Sequence, residues 1–168
     1  FSAYLAATPE VFQARFIGAA NDGLEIVRVQ RVGKRMEMAG PGGLQRKGNT
    51  VYLREALRLG DGEVFVSDVT LNRENDQIDL PHRPTIRYAT PVLDAQGKVF
   101  GAIVINVDLT GRLGRLAPGS GPEPQIFATN AQGDFVAHPD PTLTFGFDLG
   151  QRHRWDDSFQ PANPPDIA

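Results

Sequence analysis

Residues 63–109 read EVFVSDVTLNRENDQIDLPHRPTIRYATPVLDAQGKVFGAIVINVDL, and this stretch decides the fold. Two β-rich runs, 85–93 and 99–109, flank Asp94, Ala95, Gln96 and Gly97. A four-residue turn closing on glycine between such runs predicts a long antiparallel hairpin. A third strand is expected over 64–70, followed by a polar crossing loop rich in Asn, Asp, Glu, Pro and His. Strand parity then sorts the side chains. Ile86, Tyr88 and Thr90 share one face, with Arg87 and Ala89 on the other. Ala102, Val104, Asn106 and Asp108 lie opposite Ile103, Ile105, Val107 and Leu109. The second set reads as core. The first begins apolar and ends with an amide and a carboxylate, the mixture of apolar wall and fixed polar groups that a ligand pocket needs. The competing reading is an edge strand with a wet polar end. If Asp108 is buried it needs a cationic partner, and Arg87 on the neighbouring strand is a candidate.

Working outward, residues 12–19 alternate as a strand, with Phe12, Ala14, Phe16 and Gly18 on one parity and Arg15, Ile17 and Ala19 on the other. Asn21-Asp22-Gly23 is a tight-turn signal, and 24–32 resumes as a strand, so 12–32 reads as the first hairpin. Lys34 to Met38 extends it past Gly33. The best helix is 50–59, capped by Asn49 or Thr50, with an apolar stripe of Tyr52, Leu53, Ala56, Leu57 and Leu59. A further short helix is expected over 111–116, weakened by Gly111 and Gly114. APGSGPEP (117–124) is a compositional break. Beyond it, 125–129 and 134–137 bracket Asn130-Ala131-Gln132-Gly133 as a second hairpin. DAQGKVF (94–100) and NAQGDFV (130–136) repeat one turn pattern, a sign of two related sheets in tandem. Residues 161–168 contain three prolines and no apolar period, as a frayed end would. The expected class is therefore α+β, with a main domain over 1–116, a linker over 117–124, a small subdomain over 125–160 and a tail over 161–168.

The 168 residues carry a net charge of −3, without the concentrated basic field of a nucleic-acid binder. No apolar stretch approaches the roughly 20 residues of a membrane span. Cys is absent, which excludes thiolate chemistry and Cys-bearing metal sites. The chain begins at Phe1, without a basic leader, and so reads as a fragment or mature product whose flanks held any targeting or membrane segment. GLQRKGNT (43–50) has the outer glycine spacing of a phosphate loop, but Asn49 stands where its lysine is required. His82, His138 and His153 lack metal-ligand spacing, so no metal is expected. Ser67 and Asp68 face opposite sides of a strand and form no relay. The acidic group Asp68, Glu74, Asp76 and Asp79 lacks a calcium-loop pattern and reads as a solvated loop. With no catalytic set, no cofactor and no enzymatic activity are expected of the chain itself.

Four strings resemble one family: RFIGAANDGLEIVRVQR (15–31), YLREALRLGDGEVFVSDVTLNRE (52–74), the 81–109 segment, and TNAQGDFVAHPDPTLTFGFDLG (129–150). They resemble the extracytoplasmic double Cache (PAS-like, PDC) sensor domains of bacterial sensor histidine kinases and diguanylate cyclases, over about residues 12–159. The resemblance implies a membrane-distal PAS-like domain with an antiparallel sheet under a helical cover, a small membrane-proximal one, and an N-terminal helix that is here truncated. It implies a small polar ligand held between sheet and cover. The carboxylate that grips a ligand ammonium in amino-acid-binding members falls at Asn106, with Asp108 two residues on.

The expected function is a periplasmic ligand-sensing domain of an inner-membrane receptor that relays a conformational signal to a cytoplasmic kinase or cyclase. The alternative is an interaction module whose pocket is filled by its own side chains. Candidate ligand-binding residues are Tyr52, Phe65, Asp68, Tyr88, Thr90, Asn106 and Asp108, with Arg87 and His82 added. Arg87 has the opposite parity to Tyr88, so both reach one ligand only across a bend or bulge. Flanking transmembrane helices and a homodimer are expected of the intact receptor. Only residues 1–8 of a dimerising helix remain, with Phe1, Tyr4 and Leu5, so the isolated chain is expected to be a monomer or weak dimer.

Overall fold

The computed structural model describes residues 1–116 and 125–159. The proposed linker 117–124, residue 160 and the tail 161–168 lie outside the described residues. The chain divides into two compact units, Phe1–Leu109 and Thr110–Ala168. Residues 110–116, expected to close the main domain, thus group with the second unit.

In the first unit, β1 (Val11–Gly18) and β2 (Glu25–Val32) form the expected hairpin, and β3 (Arg35–Met38) folds back on β2. Asn21, Asp22 and Gly23 turn the chain with successive φ values of 55°, 57° and 64°. Asn, Asp and Gly are the residues that tolerate this left-handed region. After α2 (Val51–Ala56) the expected strand 64–70 is two short pieces, β4 (Phe65–Val66) and β5 (Thr70–Leu71). Ser67 interrupts it: its hydroxyl accepts the Arg87 amide, 2.9 Å away, and donates to the Asp68 carbonyl at 2.7 Å. β6 (Arg73–Glu74) and β7 (Gln77–Ile78) pair only with each other, as a small hairpin within the crossing loop. The long hairpin is β8 (Pro84–Leu93) and β9 (Val99–Asp108). Asp94 Oδ1 accepts the amides of Gln96 and Lys98, both at 2.9 Å, and Gly97 takes φ +76°, which fixes its turn.

The strands join in one antiparallel sheet, in the order β3-β2-β1-β9-β8-β4, with β5 also on β8. Both faces are covered. On one, α2 sets Tyr52, Leu53 and Ala56 against Ile17, Ala89, Ala102 and Val104. On the other, α1 (Ser2–Ala7) buries Leu5 against Val11, Ala14 and Val29, with Ile105 and Val107 beside them. Leu5 is therefore a core residue, while Phe1 and Tyr4 stay exposed. Parity had assigned the Ile103 set as core; the more deeply buried set is Ala102, Val104 and Asn106, because α2 lies on it.

Gly101 sits where β9 crosses β1 closely: a Cβ there would lie 2.4 Å from the Ile17 carbonyl oxygen and 2.9 Å from the Phe16 ring. Gly101→Ala is expected to cost about 1–3 kcal/mol by overpacking. Urea denaturation measures it, and an unchanged midpoint would show that the two strands part freely.

In the second unit, α3 (Thr110–Leu116) precedes a hairpin of β10 (Ala128–Thr129) and β11 (Phe135–Ala137). Asn130 Oδ1 accepts the amides of Gln132 and Asp134 across the expected turn. Phe127, Phe135, His138, Trp155 and Phe159 form an aromatic cluster. Buried Asp134 is bound by Arg152 and Asn130. No helix among the described residues is long and apolar enough to cross a membrane.

Candidate ligand site

The α2 face of the sheet is polar at one end and apolar at the other. Register explains this, because residues paired across antiparallel strands point to the same side. Gln13 pairs with Gln30 and with Asn106, and Asn106 pairs with Arg87. One step along, Arg15 pairs with Arg28 and Val104, and Val104 with Ala89. Further on, Ile17 pairs with Ala102 and Ala102 with Pro91. Helix α2 covers the apolar half, and the 73–78 hairpin reaches over the polar half.

Two guanidinium groups directly opposite each other repel unless carboxylates intervene. Here two do. Glu25, fully buried, lies 3.1 Å from Arg15 Nε and 3.3 Å from Arg28 Nη1. Glu74 comes down from the hairpin to 2.8 Å from Arg15 Nη2 and 3.5 Å from Arg28 Nη1. Its oxygens also accept from the amides of Gln13, at 2.9 Å, and Gln45, at 2.6 Å. Gln45 Oε1 in turn accepts from the Lys47 ammonium at 2.6 Å. The network continues from Arg15 to the Tyr52 hydroxyl, 3.2 Å away. It also runs from Gln13 Oε1 to Asn106 Nδ2 at 3.0 Å, from Asn106 to Asn72 Oδ1 at 3.3 Å, and from Asn72 Nδ2 to Asp79 at 2.7 Å. Beside it lies a cavity of about 170 Å³ whose lining includes Gln13, Arg31, Asn72, Glu74, Asp79 and Arg83.

Burial raises the Glu74 pKa, but Arg15 and the Gln13 and Gln45 amides outweigh it and hold the carboxyl below its ordinary 4.5. A carboxyl depressed in the folded state stabilises the fold above its unfolded value, and that contribution is lost as pH falls through the folded one. Stability is therefore expected to drop on acidification below about 4.5, and Glu74→Gln to flatten that part of the profile. Unfolding followed across pH 2–6 (an interval of about four units around that value) measures this; an identical profile for the variant would contradict it.

Of the residues expected at the site, Tyr52, Arg87 and Asn106 come together on this face. The Arg87 guanidinium lies 5.7 Å from the Tyr52 ring centre and donates to Thr70 Oγ1 at 2.8 Å. Phe65 packs at the edge of the α2 cluster. Tyr88 and Thr90 are on the opposite side of the sheet. Because Arg87, not Tyr88, pairs with Asn106, the parity assignment was out by one residue. Tyr88 is exposed, and Thr90 donates to the Glu63 carbonyl at 2.8 Å. Asp68 and His82 are exposed. Asp108 is half-buried and lies 3.5 Å from Arg83. Arg15, Arg28, Glu25, Glu74, Gln13, Gln45, Lys47 and Asn72 were missed. Arg15, at a core-facing position among the apolar residues Ala14, Phe16 and Ile17 of β1, was the available signal.

The family described as bacterial histidine kinase, sensor domain, matches residues 6–165. The chain belongs to this family. Among solved structures, it is similar to a domain of a protein assigned to the sensory box/GGDEF family from Vibrio parahaemolyticus, at 21% identity and TM-score 0.77, covering 99% of this chain and 60% of that one. The extracellular domain of vpHK1S-Z8, assigned as a histidine kinase, gives 21%, 0.76, 99% and 57%. The ligand-binding domain of the Pseudomonas aeruginosa amino-acid chemoreceptor PctC, in complex with GABA, gives 15%, 0.53, 91% and 58%. This chain thus spans about three-fifths of the length of these relatives. Comparison with curated proteins finds no match. The fold is that of PAS-like extracytoplasmic sensor domains.

Proposed function

We propose that this family member is the periplasmic sensing part of a transmembrane receptor and binds a small polar molecule between the sheet and its cover of α2 and the 73–78 hairpin. The observation that carries this is the concentration of buried polar side chains on that one face: Gln13, Arg15, Glu25, Arg28, Lys47, Asn72, Arg87 and Asn106. Buried charge at this density is costly for a fold that needs only to be stable. The output chemistry belongs to a cytoplasmic kinase domain elsewhere in the receptor, with a diguanylate cyclase as the other output. Transmembrane helices flank the chain, the intact receptor is a homodimer, and residues 125–160 are the small membrane-proximal subdomain of a double Cache arrangement. Structural neighbours solved with GABA and with L-serine support a small polar ligand.

A second reading is favoured by Glu74, which fills the polar end with the chain's own carboxylate: an interaction module with no ligand. Thermal unfolding against amino acids, amines, carboxylates, purines and sugars, followed by calorimetry, separates the two. Specific binding is expected to raise the midpoint saturably; ligand at about 100 times Kd stabilises by about 2.7 kcal/mol. A flat response across every class would favour the interaction module.

A further inference from the structure

Two carboxylates serve the Arg15–Arg28 pair, and they differ in how they are held. Glu25 is part of β2, is fully buried, and accepts the backbone amide of Gln45 at 2.9 Å, so it is fixed in the sheet. Glu74 stands on a hairpin of two-residue strands that pair only with each other, and about a fifth of its side chain remains exposed, at 21%. Asn75 and Asp76 form its exposed tip, with φ 50° and 62°.

Three cationic side chains converge on these two acids. Arg15, Arg28 and Lys47 are all buried around Glu25 and Glu74, with exposed Asp76 as a further acid acting on Lys47. Burial, then repulsion by Arg15, lowers the Lys47 pKa, and Glu74, Glu25 and Asp76 oppose that shift. Arg28 Nε is buried with no hydrogen-bond partner among the described residues. A cavity of about 170 Å³ lies beside Glu74, ample for several water-sized groups.

We infer that Glu74 is a built-in stand-in for the ligand, and that the molecule sensed is a small carboxylic acid whose carboxylate displaces Glu74 from Arg15, Arg28, Gln13 and Gln45 and releases the 73–78 hairpin. This rests on the ligand-sensing function above and adds to it a ligand class and a moving part. The hairpin equilibrates between a closed form, with Glu74 in the site, and an open form with the site vacant. A carboxylate binds only the open form and shifts the population toward it. Glu74 therefore competes with the ligand, and its removal raises apparent affinity by the inverse of the open fraction.

The test is calorimetric titration of the chain and of Glu74→Ala with acetate, propionate, succinate and malate, with sodium chloride at matched ionic strength and with butylamine and glucose as probes of other classes. At least one carboxylate is expected to bind Glu74→Ala at least about tenfold more tightly than the unaltered chain. Hydrogen exchange of amides 73–78 in the unaltered chain is expected to speed up on saturation with that acid. If Glu74→Ala does not fold, Glu74→Gln carries the comparison, and exchange in the unaltered chain decides alone if neither variant folds. Equal or weaker carboxylate binding by the folded variant, slower or unchanged exchange in an unaltered chain that is saturated with the acid, or equal binding of chloride would overturn the inference. Binding of butylamine or glucose alone would also overturn it while leaving a sensing function intact. Binding of carboxylates by Glu74→Ala alone supports it, as a site held shut by its own acid.

Discussion

Arg15→Ala is expected to remove about 3–5 kcal/mol of stability, the cost of leaving a buried ion without its partner. Arg15 is 2% exposed and stands between Glu25, which is 1% exposed, and Glu74. Without the guanidinium, Glu25 loses its 3.1 Å partner and keeps Arg28, the Gln45 amide and the field of Lys47, in a place where water does not reach. Against a typical domain stability of about 5–15 kcal/mol, such a loss brings the first unit close to unfolding at ordinary temperature. Urea denaturation measures it. The double variant Arg15→Met/Glu25→Leu is expected to recover much of the loss, because it removes both charges and leaves apolar volume in their place. A single variant within about 0.5 kcal/mol of the unaltered chain, the range of an ordinary surface substitution, would show that the pair is not a buried ion network.

Leu53→Ala comes next, at about 2–5 kcal/mol for a leucine truncated in a packed core. Leu53 is 1% exposed and ties α2 to Ile17, Ala89, Ala102 and Val104. The helix has six residues, too few to persist without tertiary packing. Loss of its anchor is therefore expected to speed amide exchange over 51–59 and to weaken ligand binding together with stability. Exchange unchanged in α2 while global stability falls would show that Tyr52 and Ala56 hold the cover by themselves.

Much of the fold could be read locally. The turns at Asn21-Asp22-Gly23, Asp94–Gly97 and Asn130–Gly133 depend on residues that accept left-handed backbone or cap a turn with a side chain, so each hairpin was visible in three or four letters. The 50–59 helix was legible from its apolar stripe, although only Val51–Ala56 is regular. The candidate site was legible only in part because it depends on register, which a single strand does not encode. Parity separated Arg87 from Tyr88 correctly, but choosing which of the two faces Asn106 required the β8–β9 pairing. Glu74 was hidden differently. In sequence it is one acid in a polar loop; its meaning comes from two arginines, 59 and 46 residues away in the chain, that the β1–β2 register sets side by side.

Amide chemical-shift mapping tests the location of the site most directly. With the chain labelled and titrated by whichever small molecule raises its unfolding midpoint, the largest shifts are expected at 13–15, 28, 45–53, 72–79 and 106, where sheet, α2 and hairpin meet. Shifts concentrated instead around Gly18, Asn21, Lys98 and Phe100, at the open cavity of about 490 Å³ at the other end of the sheet, would contradict it.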